Sequence, residues 1–469
     1  MTPFISLIDT IITISTGCGC QQKEFSMTNR LRHYWHLLRE SLWFIPGLML
    51  IGSFLLAYGL VEFDANTYWQ GQKEFPLLFG IGAEGSRGML SAIAGSMLTV
   101  ATLSFSLTLS TIAQVSSQYS PRVLRNFMRD QLNQLVMGYF VGVFSYCLIV
   151  LGTIRGTDEQ KFVPATAVLV GLVLALGGVV ALIFFIHHIA ESMQSGTIVQ
   201  STTNETLEAI DNLFPSNVGE SVGSPEEMKA VQQYIDEATG WHPVIAKRWG
   251  YLQHFDTDQL LNWATRHRVI VRIEQRLGNF IAQDDVLFSV RTDVTRPDVS
   301  KPDWPEDLLD YVDIGRHRSV EQDVSFGIQQ LVDITLKALS SGINDPTTAI
   351  MGIDHLGAIC ERLAKRTFPE RLRSDGQHFR VQTQPASFED FIRLSFDLTR
   401  VNAKGDHAVL RRLLRALVLI GNHVNTKARL PVIREQIALL MDQADNTLAT
   451  SYEKQQVWLL HQELKQEWF

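Results

Sequence analysis

Cysteine is scarce in this chain: four occur in 469 residues, Cys18, Cys20, Cys147 and Cys360. Cys147 falls in an apolar run and Cys360 in a helical pattern, which argues against a disulfide framework and suits a reducing compartment. Paired His/Cys spacings for a metal, a phosphate-cradling glycine loop and a Gly-x-Ser-x-Gly elbow are all missing. Ser86 comes nearest to the elbow, but Glu84 stands at its first glycine position. No catalytic residue, metal or cofactor is therefore expected. Lys/Arg stripes are missing too, and with a net charge of −8 the chain has no electrostatic footprint for a phosphate backbone, so nucleic acid is not an expected partner.

Charge is absent from four long runs: Ser41 to Val61, Gly88 to Ala113, Gln131 to Ile154 and Phe162 to Ile186. A bilayer core needs about 20 apolar residues in helical form. Each run meets that length, and the short segments between them predict a compact antiparallel bundle with its backbone hydrogen bonds closed inside each helix. With no Asp, Glu, Lys, Arg or His in any run, the usual relay groups of coupled pumps and voltage sensors are missing. Passive conduction fits better than coupled transport. The charge imbalance lies elsewhere: Lys+Arg against Asp+Glu is 11 to 10 up to residue 190 and 30 to 39 beyond it.

Loop charges set the expected orientation. Arg30, Arg32 and Arg39 precede the first run, and Arg122, Arg125 and Arg129 lie between the second and third. In the other loops Lys73, Arg87, Arg155 and Lys161 are diluted by acids. Both termini are thus expected in the cytoplasm of a multi-pass inner-membrane protein, with Trp35 and Trp43 at the inner interface and Tyr68 and Trp69 at the outer one. Residues 1–26 lack the basic start of a secretory signal, and Met27-Thr28-Asn29-Arg30 reads as a natural beginning, which makes 1–26 an extension without function.

The second run is chemically unusual, with nine hydroxyl residues between Ser91 and Thr111. Ser96, Thr99, Thr102, Ser106 and Ser110 recur at steps of three or four and share one helix face, which Gln114 extends. Such a stripe suits the wall of a water-filled path, because hydroxyls serve passing ions or waters without a fixed charge. Close helix packing is the plainer alternative. Gly88, Ala92 and Ser96 repeat at four, and Ser/Thr hydroxyls in membrane helices often bond to the carbonyl four residues earlier.

Beyond the fourth run, residues 191–242 read as a helical connector, with a capping box at Ser224-Pro225-Glu226-Glu227. Residues 243–292 read as a small β-rich, barrel-like unit. Val269-Ile270-Val271-Arg272-Ile273 and Val286-Leu287-Phe288-Ser289-Val290 have strand character, and Asp256 to Arg268 reads as a short helix. Leu277 to Ile281 with Asp285 to Leu287 locally resembles the turn of small sandwich barrels such as lipoyl domains, without a counterpart to that family's modifiable lysine. A linker, 293–319, precedes an all-helical unit, 320–469. There a helix over Glu321 to Leu339 ends at Ser340-Ser341-Gly342, and the next is capped by Asp345 with Pro346 at its first position. The expected fold class is therefore a four-helix transmembrane bundle, 27–190, followed by a cytosolic α+β region.

The runs Gln114-Val115-Ser116-Ser117-Gln118-Tyr119-Ser120-Pro121-Arg122, Leu124-Arg125-Asn126-Phe127 and Ala338-Leu339-Ser340-Ser341-Gly342-Ile343-Asn344-Asp345-Pro346 carry a resemblance. From about Met27 the chain resembles the bacterial membrane-protein family called domain of unknown function 2254. That resemblance supports the architecture and implies no chemistry.

One polar cluster is left. Asp323 and Asp333 lead into Asn344 and Asp345, and together they form a candidate ligand or regulatory site. Asp323 and Asp333 are nearly three turns apart, so sharing a small ligand needs a partner segment. A solvated helix face and internal caps explain the same residues more simply. Two functions stay open. One is a homo-oligomeric channel in the lipid bilayer, lined by second helices and gated or assembled by the cytosolic part. The other is a non-conducting membrane-anchored sensor or scaffold.

Overall fold

The computed structural model describes residues 43–66, 82–118, 130–155, 162–214, 239–292, 304–320, 322–369, 371–375 and 378–468. The extension 1–26, the arginines before the first run and those from Arg122 to Arg129, Tyr68, Trp69, the capping box at Ser224 and residues 293–303 of the linker lie outside them. Four helices are long and apolar enough to cross a membrane: α1 (Phe44–Asn66), α2 (Ala83–Gln118), α3 (Gln131–Thr153) and α4 (Ala165–Ser192). The chain divides into two compact units, Met1–Leu109 with Asn126–His187, and Ser110–Arg125 with His188–Phe469.

In the first unit, small residues let the apolar helices meet. Gly138 of α3 lies against Pro46 and Met49 of α1, while Gly171 and Gly178 of α4 receive Leu90 and Met97 of α2. Without a hydrophobic driving force inside lipid, such close approach and interhelical hydrogen bonds hold the helices together. Tyr139 and Tyr146, seven apart on α3, donate to the carbonyls of Leu174 and Ala167 on α4, each at 2.7 Å. Helix ends are closed by charged groups: Asp64 accepts from Ala167 N at the start of α4 (3.1 Å), and Arg87 donates to Ile154 O past the end of α3 (2.7 Å).

The second unit takes in the last residues of α2 and α4, then α5 (Ser195–Leu213), β1 (His242–Ile245), β2 (Gly250–Phe255), α6 (Thr257–His267), β3 (Val269–Ile273), β4 (Phe280–Ile281), β5 (Val286–Thr292), α7 (Trp304–Leu309) and β6 (Val312–Gly315). It continues with α8 (Val324–Ala338), α9 (Pro346–Lys365), β7 (Leu372–Ser374), β8 (Phe379–Gln382), α10 (Phe388–Asn402), α11 (His407–Asn422), α12 (Leu430–Thr447) and α13 (Ser451–Trp468). The expected strands at 269–273 and 286–290 are present, and α6 is capped by Asp256 and stopped by Arg268 at φ 52°.

The barrel-like unit takes a different form. Its strands make two open sheets, ordered β1-β5-β3-β8-β7 and β4-β2-β6, over one core that includes Leu252, Trp263, Val271, Phe288 and Val381. The region expected to be all helical contributes β7 and β8, and β8 runs parallel to β3. The α9–α10 connection thus completes a sheet begun at His242.

The helices of this unit pack by pairing glycine with threonine. A Cβ on Gly327 of α8 would overlap Thr206 of α5, and one on Gly352 of α9 would overlap Thr335 of α8. Each threonine is fully buried and returns its hydroxyl proton to the carbonyl four residues earlier, Thr202 O at 2.6 Å and Leu331 O at 2.8 Å. The polar atom is thereby satisfied at a contact too close for any larger side chain.

Candidate functional site

The hydroxyl stripe of α2 is the feature that composition alone marks as more than an anchor. Ser96, Thr99, Thr102, Ser106, Ser110 and Gln114 are all exposed on the isolated chain. The opposite face of the same helix, Ile93, Ala94, Met97, Ala101, Ser104, Thr108, Thr111 and Val115, is buried. The stripe therefore points away from the chain's own bundle. Gly88, Ala92 and Gly95 extend it and are exposed as well, and a Cβ on Gly88 or Gly95 would meet nothing within 4 Å. From Gly88 to Gln114 at 1.5 Å per residue the face runs about 39 Å, enough to cross a hydrocarbon core of about 30 Å.

Two hydroxyls show how the face is wired. Thr99 donates to Gly95 O and Thr102 to Leu98 O, each at 2.9 Å. Their protons are committed to the backbone, so the oxygens present outward lone pairs as acceptors. Leu103 is exposed within the same face, and Leu98, Phe105, Leu107 and Leu109 are exposed on the same helix beside it. At its C-terminal end, α2 carries its last two stripe residues into the second unit, where Thr111 contacts the sulfur of Met193 at 3.8 Å.

The polar cluster is not brought together. Asp323 caps α8 through Phe326 N (3.1 Å) and pairs with Arg318 at 2.6 Å, only 5 % exposed. Burial pushes its carboxyl above the usual carboxylate range, with Arg318 opposing. Asp345 caps α9 at the other end of α8, accepting from Thr348 N (3.1 Å) and the Thr348 hydroxyl (2.5 Å), and these bonds hold its carboxyl low. The 15 residues of α8 separate the two caps by about 22 Å. Asp333 accepts from Gln329 (2.8 Å) within α8, and Asn344 lies exposed in the loop at φ 50°. All four have local structural partners or a turn conformation to serve. Among the described residues, no group of three His, Cys, Asp or Glu side chains could hold a metal.

Other polar contacts escaped sequence reasoning because their partners are distant. Asp211, near the end of α5, is held low by Arg362 of α9 and by Arg366 just past its end, with Arg362 at 2.8 Å. Arg429 lies over the rings of Phe368 and Phe388 (4.5 and 5.0 Å) and donates to Leu363, Ala364 and Arg366 carbonyls, closing the end of α9. Burial pushes the buried Cys360 thiol up to about 12, so it is a core side chain and no nucleophile at neutral pH.

Residues 39–418 match the family described as predicted membrane protein (DUF2254). An uncharacterized protein of Mycobacterium tuberculosis (strain CDC 1551) is 30% identical over 437 residues, covering 92% of this chain and 81% of the relative. Uncharacterized proteins of Mycobacterium bovis and of M. tuberculosis strain H37Rv match with the same identity and coverage. No solved structure matches the chain. Four apolar helices of spanning length, the runs around Gln114 and Asn344, and a match over most of its length together make this chain a member of the DUF2254 family of predicted membrane proteins.

Proposed function

We propose that this protein is a homo-oligomeric membrane channel in which the α2 helices of several copies line a water-filled path. The observation that carries the reading is the uncovered hydroxyl face of α2, set opposite the face that its own bundle buries. A polar face of that length is poorly matched to lipid tails and calls for water or another helix. Four helices per copy are too few to enclose a path comfortably, so several copies would contribute. Outward acceptor oxygens on Thr99 and Thr102 favour cations over anions, and Leu103 supplies an apolar constriction of the kind that gates by dewetting. The loop arginines argue for a cytoplasmic second unit, and α2 and α4, which both continue into it, are the elements through which it would assemble or gate the path.

A second reading has its own observation. The back-bonded threonines and the run of Gly88, Ala92 and Gly95 also suit a dry helix seam in a non-conducting scaffold. Cysteine scanning separates the two. In a background with Cys18 and Cys20 replaced by serine, single cysteines at 96, 99, 102 and 106 are expected to react with a membrane-impermeant aqueous thiol reagent. Cysteines at Met97 and Ala101, on the buried face, are expected to stay unmodified. Uniform inaccessibility of the stripe sinks the water-filled path and leaves the seam.

A further inference from the structure

Two large aromatic side chains stand exposed side by side in the second unit, Trp249 (65 %) and Phe280 (55 %), and Ile245 (45 %) is exposed four residues before Trp249. They lie on two segments that the backbone zips together, since Ala246 N donates to Asp285 O (2.8 Å) and Asp284 N to Ala246 O (3.0 Å). Trp249 and Phe280 have ring centroids 6.3 Å apart, and Tyr251 packs edge-on to Phe280 at 5.3 Å. The loop has little freedom to fold its tryptophan away. Gly250 at φ +155° lies so close to the Gly315 carbonyl and Ile314 that any side chain there would collide. The core of this unit is complete without the three, as Val244, Ala246, Leu252 and Ile281 already fill it. Ile245 ends β1, an edge of the five-stranded sheet, Phe280 begins β4, an edge of the three-stranded one, and Trp249 lies in the loop between β1 and β2. Exposed aromatics beside an arginine next to sheet edges have the composition of a protein interface.

We infer that this patch is a contact surface for a second copy of the chain, a conclusion that rests on the homo-oligomeric reading above. Its charges decide the occupant. Exposed Arg248 on one segment accompanies exposed Asp284 on the other, so the patch carries a charge of each sign beside its aromatics. A two-fold contact lays Arg248 of each copy against Asp284 of its mate around the central aromatics, which is the self-complementarity an isologous interface needs. Copies held in one bilayer meet at high effective concentration, so a modest patch suffices.

Disulfide trapping on the full-length protein in membranes tests this, again without Cys18 and Cys20. Trp249→Cys is expected to give cross-linked dimer at about ten times the yield of Tyr452→Cys, an exposed control on α13. Adding Arg248→Glu or Asp284→Lys is expected to cut that yield about tenfold, and combining the two on one chain to restore it. Asp284 has φ +73°, where lysine is strained, so Asp284→Asn serves as the second variant and must also lower the yield. A yield no higher than the control overturns the inference. So does a gain in anionic-vesicle binding by Asp284→Lys with no rescue in the double variant, which would assign the patch to lipid. If Trp249→Cys fails while cysteines on the α2 stripe react with aqueous reagent, the patch alone is wrong. If both fail, the oligomeric channel falls with it.

Discussion

Replacing Asp323 by alanine is expected to cost the second unit roughly 3–5 kcal/mol, the usual loss when one partner of a buried ion pair is removed. The carboxylate has two tasks. It accepts from Phe326 N at the start of α8, and it neutralises Arg318, whose guanidinium lies over the Phe326 ring at 5.1 Å. Gly278, at φ +81°, backs onto both side chains, so the turn after β3 is registered against α8 through this pair. Asp323→Asn keeps an acceptor for the cap and drops the charge, and a smaller loss of roughly 1.5–3 kcal/mol is expected. The pH dependence has a definite sign. Burial raises the folded carboxyl above its ordinary 3.8, so its favourable contribution is complete below that value and is lost as pH rises through the folded one. Wild-type stability is therefore expected to fall relative to the non-titrating Asp323→Asn as pH rises from 3.8 through the folded value, with the Arg318 ion pair limiting that fall. Hydrogen exchange of α8 amides in the full-length protein measures both, and an alanine variant within 1 kcal/mol of wild type would contradict the role.

Gly327→Val is expected to destabilise the α5–α8 contact by roughly 1–3 kcal/mol, because the added atoms overlap the buried, back-bonded Thr206. Thr206 has no room to yield: it is fully buried and stiff at χ1. Combining Gly327→Ala with Thr206→Ala frees the space and should recover most of the loss. The contact matters for function because α5 follows α4 after only Met193 and Gln194, making it the first helix of the second unit to receive any movement of that span. Exchange protection in α5 reads the result. Full protection in the valine variant, or a double variant no better than Gly327→Val, would show that the pair is not what seats α5.

How much was legible in the sequence varied with the range of the interaction. The four spanning helices follow from run length because lipid demands a closed backbone, and only their ends moved: α2 continues five residues past Ala113 on the polar but helix-compatible Gln114 to Gln118. The Asp345-Pro346 cap was equally plain, being local chemistry. The stripe could be placed on one helix face from spacing alone, but nothing in the sequence says which face a bundle buries. That needed Gly171 and Gly178 of α4 to be seen receiving Leu90 and Met97. Strands β7 and β8 were missed because three- and four-residue strands carry almost no period, and they exist only through pairing with β3. Asp323 and Asp333 looked like a cluster by type and nearness in sequence. The pull of Arg318 and Gln329 on their separate sides of α8 set them to different structural tasks.

The most direct test of the central claim is an electrical recording of the purified protein in a planar bilayer. The channel reading predicts discrete cation-selective currents whose unit size changes when Thr102→Val removes an outward oxygen or Ser106→Leu narrows the path. Protein that inserts as an oligomer yet carries no current, or whose current is indifferent to both substitutions, would contradict it.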